Sequence, residues 1–369
     1  MASNQATVDE TVLAEDDKPK SKRPKETKFK QQNLPAWQPI LTAGTVLPAF
    51  FAIGLAFIPL GVVLFITSNN IKEFSYDYTN CKSVENPDVT CAEVVSNSTN
   101  VTCTCQIVAD LDKFDESVYI YYGLTNYYQN HRRYVRSRDD NQLHGEGPAP
   151  GKLIDDCDPY RTTTINKTEY GYAPCGAIAN SLFNDTFVIK YQGSVTVGLI
   201  NTGIAWVSDK NVKFRNPDNW DRYTQPPNWK RPVWKLDEAN PDNNGFLNED
   251  LIVWMRTAAL PTFRKLYRRV NHTASPFHDG LPAGNYTIEI EYNYPVVAFD
   301  GTKSIIISTT SWLGGKNPFL GIAYIVVGSL CIVLGVVFLI IHLRWGKNSV
   351  IYQMKRSTDV INVTPRDNY

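Results

Sequence analysis

Apolar positions in this chain gather into two unbroken runs, one near each end, with a long polar stretch of strand-like alternation between them. Residues 40–67, ILTAGTVLPAFFAIGLAFIPLGVVLFIT, contain no ionisable side chain, and neither do residues 319–343, FLGIAYIVVGSLCIVLGVVFLIIHL, until His342 at the very end. A bilayer core takes about 20 apolar residues in a helix, so both runs predict transmembrane helices with room to tilt. The first is too long for a signal-peptide core and follows residues 1–39, so both are expected to stay in the mature protein. Between them, alternation predicts strands over 71–78, 186–192, 194–200, 285–294 and 303–312, rich in Ile, Val, Thr and Tyr and separated by Gly, Asn and Pro. The first of these leaves one span and the last returns to the other, so their antiparallel pairing would bring the two helices together.

Helical signals in the middle are fewer. One covers 124–140. Another starts at Asn248, an N-cap with Glu249 and Asp250 in its first turn, and runs to Leu260; Pro261 breaks or kinks it before 262–269. Residues 216–244, rich in Pro, Asn and Trp, read as an irregular excursion pinned by aromatics. The expected fold class is an α+β membrane protein: two transmembrane helices bracket a β-rich exoplasmic domain with a few helices. Its expected segments are a cytoplasmic tail (1–39), a first helix (40–67), the exoplasmic domain (68–317), a second helix (318–343) and a cytoplasmic tail (344–369).

Charge sets the orientation. Lys18, Lys20, Lys22, Arg23, Lys25, Lys28 and Lys30 precede the first span, and Arg344, Lys347, Lys355 and Arg356 follow the second. Basic flanks stay cytoplasmic, and two crossings put both termini on one side, so both tails are expected inside. The 37 basic and 37 acidic residues balance, which leaves no nucleic-acid footprint. The Lys18–Lys30 run serves as a topology signal in a disordered tail, or attracts anionic lipid at about 1 kcal/mol per residue.

Six of the seven cysteines, Cys81, Cys91, Cys103, Cys105, Cys157 and Cys175, fall in the exoplasmic segment, and Cys331 lies within the second span. An even count in an oxidising compartment reads as three disulfides, which sequence alone allows in about 15 pairings. Cys157 and Cys175 stand apart and are expected to pair. Among the other four, Cys103 with Cys105 would be strained, and the nested pattern Cys81–Cys105 around Cys91–Cys103 is preferred to the crossed one. Zinc at the Cys-x-Cys group is the minor alternative, because no histidine lies near it. Asn97, Asn100, Asn166, Asn184, Asn271 and Asn285 head sequons in the same segment and are candidate glycosylation sites. Asn97 and Asn100 are too close for both to be expected to carry sugar, and Asn362 falls in a tail expected to be cytoplasmic.

Motifs for chemistry fail on inspection. Asn240-Pro-Asp-Asn-Asn-Gly245 resembles the opening of an EF-hand loop, but Leu251 stands where a bidentate Glu is needed, so an Asx-rich turn is expected. Gly314-Gly315-Lys316-Asn317 lacks the rest of a phosphate loop. Asp209-Lys210 echoes the phosphorylated Asp-Lys of P-type pumps, but Asn211-Val212 follow, and on the wrong side of the membrane. No catalytic residue, metal or cofactor is expected. The basic groups His131-Arg132-Arg133 with Arg136 and Arg138, and Arg264-Lys265 with Arg268 and Arg269, suit acidic loops of a partner or a solvated face. The spans lack the ionisable groups of ion and proton pathways. Instead Gly321, Gly328 and Gly335 recur every seven residues in the second, and Gly54 and Gly61 in the first, which lets backbones approach closely, in the chain itself or against a partner helix.

Several blocks carry a family resemblance: FKQQNLPAWQP at 29–39, YYGLTNYYQNHRRYVRSRDD at 121–140, APCGAIANSLFND at 173–185, DKNVKFRNP at 209–217, NPDNNGFLNEDLIVWMRTAALPTFRKLYR at 240–268 and SWLGGKNPFLGIAY at 311–324. From Phe29 through the second span the chain resembles the cell cycle control protein 50 family, the accessory (beta) subunits of type IV P-type ATPases, which flip phospholipids. The resemblance implies a non-catalytic subunit in a heterodimer with the ATPase alpha subunit. It would help the ATPase leave the endoplasmic reticulum for the Golgi, endosomes or plasma membrane, and support transport of aminophospholipids to the cytoplasmic leaflet. It further implies an exoplasmic domain over the ATPase's loops and spans packed on its last helices. Phe29 and Trp37 would run along its cytoplasmic side, and Gly321, Gly328 and Gly335 are assigned to that partner packing. Cys157 and Cys175 match the family's later disulfide, and Asn184 matches a family glycosylation site. The Cys81–Cys105 region is more spread out than in vertebrate relatives. Glu289 stands where those relatives carry a sequon, with Asn285 as a replacement on the same strand. The rival classes are a glycosylated receptor or adhesion protein, and an exoplasmic enzyme.

Overall fold

The computed structural model describes residues 26–34, 42–97, 101–115 and 117–361, and side chains in these except those of Asn97 and 346–361. Helix α1 runs Ala43–Asn69 and the last helix, α5, runs Phe319–Ile361. Their apolar stretches, Ala43–Asn69 and Phe319–Trp345, are each 27 residues long with only 11% of the most apolar window buried. Helices of that length whose apolar surface is left uncovered belong in lipid, and the chain is a two-pass membrane protein. α5 continues well beyond the expected end at residue 343, since helical backbone satisfies its own hydrogen bonds in lipid and water alike.

Contacts divide the chain into two compact units: Met1–Ile53 with Cys331–Tyr369, and Gly54–Leu330. The larger holds the domain between the helices. The strands of five or more residues in its two main sheets are β1 (Glu73–Asp77), β2 (Cys103–Leu111), β3 (Val118–Leu124), β4 (Thr186–Tyr191), β5 (Phe263–Val270), β6 (Gly284–Tyr292) and β7 (Lys303–Thr309). One antiparallel sheet runs β1-β7-β3-β5 and ends on the short strand Leu199–Ile200. A second runs β2-β6-β4 and ends on Val195–Thr196. Their inward side chains meet in one core that includes Ile120, Leu124, Ile189, Ile288, Ile290, Ile305 and Ile307. β1 and β7 pair from Glu73↔Ser308 to Asp77↔Ser304, so the strands joined to the two spans do lie side by side.

Four expectations need correction. Residues 262–269 are not helical: β5 occupies them, with Lys265, Tyr267 and Val270 turned inward and a bulge between Leu266 and Arg268. The closely spaced basic residues imitate an amphipathic helix, but pairing along β3 takes the backbone instead. Residues 124–140 yield only α3, Arg132–Arg136, and a turn at Asp140–Leu143. Leu124 still belongs to β3, and Asn126 takes a positive φ of 54°, which ends regular structure there. The helix capped by Asn248 is α4, Glu249–Met255, shorter than the expected run to Leu260. Asn248 accepts from the Leu251 N–H at 3.1 Å, as an N-cap should. The expected strand over 194–200 is split between the two sheets. β2 escaped the sequence reading although it alternates buried and exposed along its whole length. Its inward face is Cys103, Cys105, Ile107, Ala109 and Leu111, where two disulfide cysteines and an alanine stand in for branched aliphatics.

Candidate partner and membrane interface

Where the domain meets the spans, the backbone is locked. The Asn317 N–H donates to Ser68 Oγ at 3.0 Å, and the Thr309 N–H donates to the Lys72 carbonyl at 3.0 Å. The ends of α1 and α5 are thereby held level just beside the β1–β7 pair. Glu73 at the start of β1 takes the Arg264 guanidinium at 2.6 Å, which adds a tie across the same sheet.

At the other end of β1 and β7 sits a fully buried ion pair. Lys303 Nζ lies 2.7 Å from Asp185 Oδ2, and both side chains have no exposed surface. Asp185 also accepts from the Tyr78 hydroxyl at 2.8 Å and from the backbone N–H groups of Asn293 and Tyr294 at 2.6 and 2.7 Å. Lys303 donates as well to the Tyr294 carbonyl at 2.7 Å, and its ammonium lies 3.0 Å from the centre of the Tyr292 ring. Removing two charges from water is costly unless every lone pair and proton finds a partner, and here the partners come from both sheets. Burial pulls the Lys303 ammonium down to about 8 against the pull of Asp185, and burial with the Asp185 charge drives the Tyr78 phenol well up.

Two further buried charges organise the α4 region. The Glu249 carboxylate accepts from the N–H groups of Ile204 and Ala205 at 2.7 and 2.9 Å and from Lys210 Nζ at 2.7 Å. Burial works to raise its pKa, but the backbone donors and Lys210 hold it below the usual carboxylate value. Lys265, inward on β5, donates to the carbonyls of Val253, Trp254 and Arg256 at 3.0, 2.7 and 2.7 Å. These are carbonyls that a helix end leaves without partners, so a lysine from the neighbouring strand caps α4 and stops it. Burial lowers the Lys265 pKa to about 7.

The glycines of the spans face each other within this chain. A Cβ on Gly321 would stand 2.7 Å from the Phe65 backbone nitrogen, and one on Gly61 would stand 2.8 Å from that of Ile325. On Gly328 it would meet Ile58 at 2.9 Å, and on Gly335 the Phe51 ring at 3.2 Å. The stripe assigned to partner packing is therefore occupied by α1: the backbone nearest the glycine seam is that of the chain's own first span, which the β1–β7 pair already holds beside it. The surfaces left to lipid or a partner are those of Leu55, Val62, Val63 and Ile66 on α1, and Ile322, Val326, Leu330 and Val333 on α5, all exposed. Phe29 is 75% exposed in a turn over residues 28–32, and Trp37 lies outside the described residues.

On the domain, Trp206, Val207 and Val212 are 64%, 73% and 61% exposed. The Arg256 guanidinium lies 4.4 Å over the Trp206 ring and 3.0 Å from Asp209. Exposed apolar groups ringed by charge mark contact surfaces more often than single exposed side chains do. Within this loop Asp209–Val212 figures in the sequence only as a failed pump motif and part of a family block; Trp206 and Val207, so close together in an otherwise polar segment, were the signal not taken up. The basic residues of α3 border Asp155, Asp156 and Asp158 around an open cavity of about 700 Å³. Arg264 and Lys265 are engaged inside the fold as described.

Disulfides join Cys81 to Cys105, Cys91 to Cys103 and Cys157 to Cys175. The sulfurs of Cys81, Cys91 and Cys105 lie close enough to share a metal ion, but each is already spent in one of these bonds. Asn166 is exposed at the turn of a hairpin formed by Thr162–Ile165 and Thr168–Tyr172. Asn285 is exposed at the start of β6, and Asn271 accepts from the N–H and hydroxyl of Thr273 in its own sequon, at 3.0 and 2.7 Å. Asn184 is partly buried beside Asp185 and lines a cavity of about 400 Å³. Asn97 ends helix α2, Cys91–Asn97, with its side chain not described, and Asn100 lies outside the described residues. Asn240–Gly245 forms Asx turns: Asn240 accepts from the Asp242 N–H, and Asn244 accepts from those of Gly245 and Asp237. Asp209 is buried between Lys213 and Arg256.

Residues 64–348 match the model of the LEM3 (ligand-effect modulator 3) family / CDC50 family. The chain is similar to cell cycle control protein 50A of Bos taurus, 54% identical over 343 residues covering 89% of this chain and 92% of that one. It is also similar to cell cycle control protein 50B of Homo sapiens, 49% identical over 88% of this chain and 94% of that one. A plant relative, ALA-interacting subunit 3 of Arabidopsis thaliana, is 39% identical over 88% of this chain and 87% of its own length.

Proposed function

This chain belongs to the LEM3/CDC50 family, and from that we propose that it is the non-catalytic accessory subunit of a type IV P-type ATPase that moves aminophospholipids from the exoplasmic to the cytoplasmic leaflet. The observation that carries the reading is the match over residues 64–348, which takes in the end of the first span, the whole domain and the second span. The name of the plant relative, an interacting subunit, agrees with it. In this reading both termini are cytoplasmic, the domain is exoplasmic and glycosylated, and the heterodimer forms in the endoplasmic reticulum before passing to the Golgi, endosomes or plasma membrane.

The physical features fit that task. Neither span has an ionisable side chain before His342, and among the described residues the buried charges are engaged in holding the fold, which suits a chain that supplies shape and rigidity to a partner. The partner's helices would lie on the outward faces of α1 and α5, since the glycine seam between them is filled. Trp206, Val207 and Val212 would face the partner's exoplasmic loops, and Phe29 and Trp37 its cytoplasmic side. The test is co-expression with type IV ATPases: the complex should co-purify, leave the endoplasmic reticulum only when both chains are present, and take up labelled aminophospholipid. Normal surface delivery of the chain without an ATPase, and no co-purification with any tested, would favour a receptor instead.

A further inference from the structure

Ser311 and Gly314 exchange hydrogen bonds, N–H to carbonyl in both directions at 2.9 Å, which closes a tight turn around Trp312 and Leu313. The Ser311 hydroxyl accepts a further bond from the Leu313 N–H at 3.2 Å. Gly314 has a φ of +103° with nothing within 4 Å of where a Cβ would be, so the turn demands glycine and its tip is open on that side. Trp312 is 78% exposed and Leu313 42%. A rigid turn that displays a tryptophan and a leucine is costly in water unless something covers them.

Its position says what does. β7 runs from Lys303 toward the spans, because Thr309 at its end bonds to Lys72, three residues past the end of α1. The turn continues that strand, and α5 begins at Phe319, five residues after Gly314. Three residues reach at most about 11 Å, so the end of β7 lies within that distance of the end of α1. A 27-residue helix is roughly 40 Å long, which takes its ends past a hydrocarbon core of about 30 Å into the headgroup layer. Tryptophan favours that layer, where its ring is apolar and its N–H stays wet, and Lys316 two residues beyond the turn suits its phosphates.

We infer that the Trp312–Leu313 turn is a hook into the membrane interface, seated among the lipid headgroups and upper acyl chains of the leaflet that faces the domain. It would fix the height of the domain over the bilayer by a contact separate from the spans. This rests on the two spans crossing a membrane and not on the flippase assignment.

The test uses the full chain in bilayers without an ATPase, in a Cys331→Ser background, with an environment-sensitive fluorophore on Leu313→Cys so that Trp312 is kept. Nitroxide on the lipid headgroup or upper acyl chain should quench the label, and nitroxide deep in the chain should quench it less. A label on Val108→Cys, on the exposed side of β2, should not be quenched, and Trp312→Ser should reduce quenching at position 313 without altering thermal unfolding. Quenching at 313 no greater than at 108 would overturn the inference. So would shielding that appears only when an ATPase is reconstituted with the chain, which would assign the turn to a protein partner.

Discussion

Replacing Asp185 by Ala should be among the most damaging single changes available in the domain. It strands the Lys303 ammonium, which has no exposed surface, and removes the acceptor of the Tyr78 hydroxyl and of the Asn293 and Tyr294 N–H groups. Breaking a buried pair from one side costs about 3–5 kcal/mol. At roughly 2–4 °C per kcal/mol for a domain of this size, the Tm should fall by about 6–20 °C. Lys303→Met is the informative contrast. It leaves Asp185 with three donors and replaces the ammonium by an apolar group of similar length, so it should cost only about 1–3 kcal/mol. Asp185→Asn combined with Lys303→Met should be less harmful than Asp185→Ala, because no charge remains unpaired. Thermal unfolding of the purified chain in detergent, followed by tryptophan fluorescence, reads all three. The sequon Asn184-x-Thr186 survives each substitution, so glycosylation does not confound the comparison. A loss below about 1 kcal/mol for Asp185→Ala would refute the claim that the pair ties the two sheets.

Gly328→Leu places side-chain atoms where Ile58 stands, so it should destabilise the chain purified without any ATPase; a defect seen only in complex assembly would show that the seam belongs to the partner. Val207→Asp with Val212→Asp should reduce co-purification with the ATPase while leaving the Tm of the chain alone, since both residues are exposed; unchanged assembly would remove this loop from the interface. Lys265 binds a proton less readily in the fold, at about 7 against 10.5, so the folded state holds fewer protons than the unfolded one between those values. Stability from this group is complete above about 10.5 and is lost as pH falls through about 7, and Lys265→Met should flatten the measured Tm–pH slope over that window. Cys157→Ser opens a bond that closes 18 residues of chain and supports a small cluster with Leu153 and Tyr172. It should cost about 3 kcal/mol, read as a lowered midpoint in chemical unfolding.

The sequence by itself determined the two membrane helices, the strands that join them and the N-cap of α4, because each rests on a local pattern: an uncharged apolar run, alternation of period two, or an asparagine before two acids. Its blocks also carried the family resemblance. What it misread were places where a distant partner decides. Lys265 looked like one basic residue on a helix face, and becomes buried only because the open end of α4 supplies three carbonyls. The cysteines of β2 hid an alternating strand because their bonding partners lie outside it. Asp185 and Lys303 are 118 residues apart, and no local signal marks either as part of a pair that closes the core. The glycine seam was legible as a packing surface, but which helix fills it was not: spacing along one span shows that backbones can approach, and only the pairing of β1 with β7 brings the chain's own other span to it.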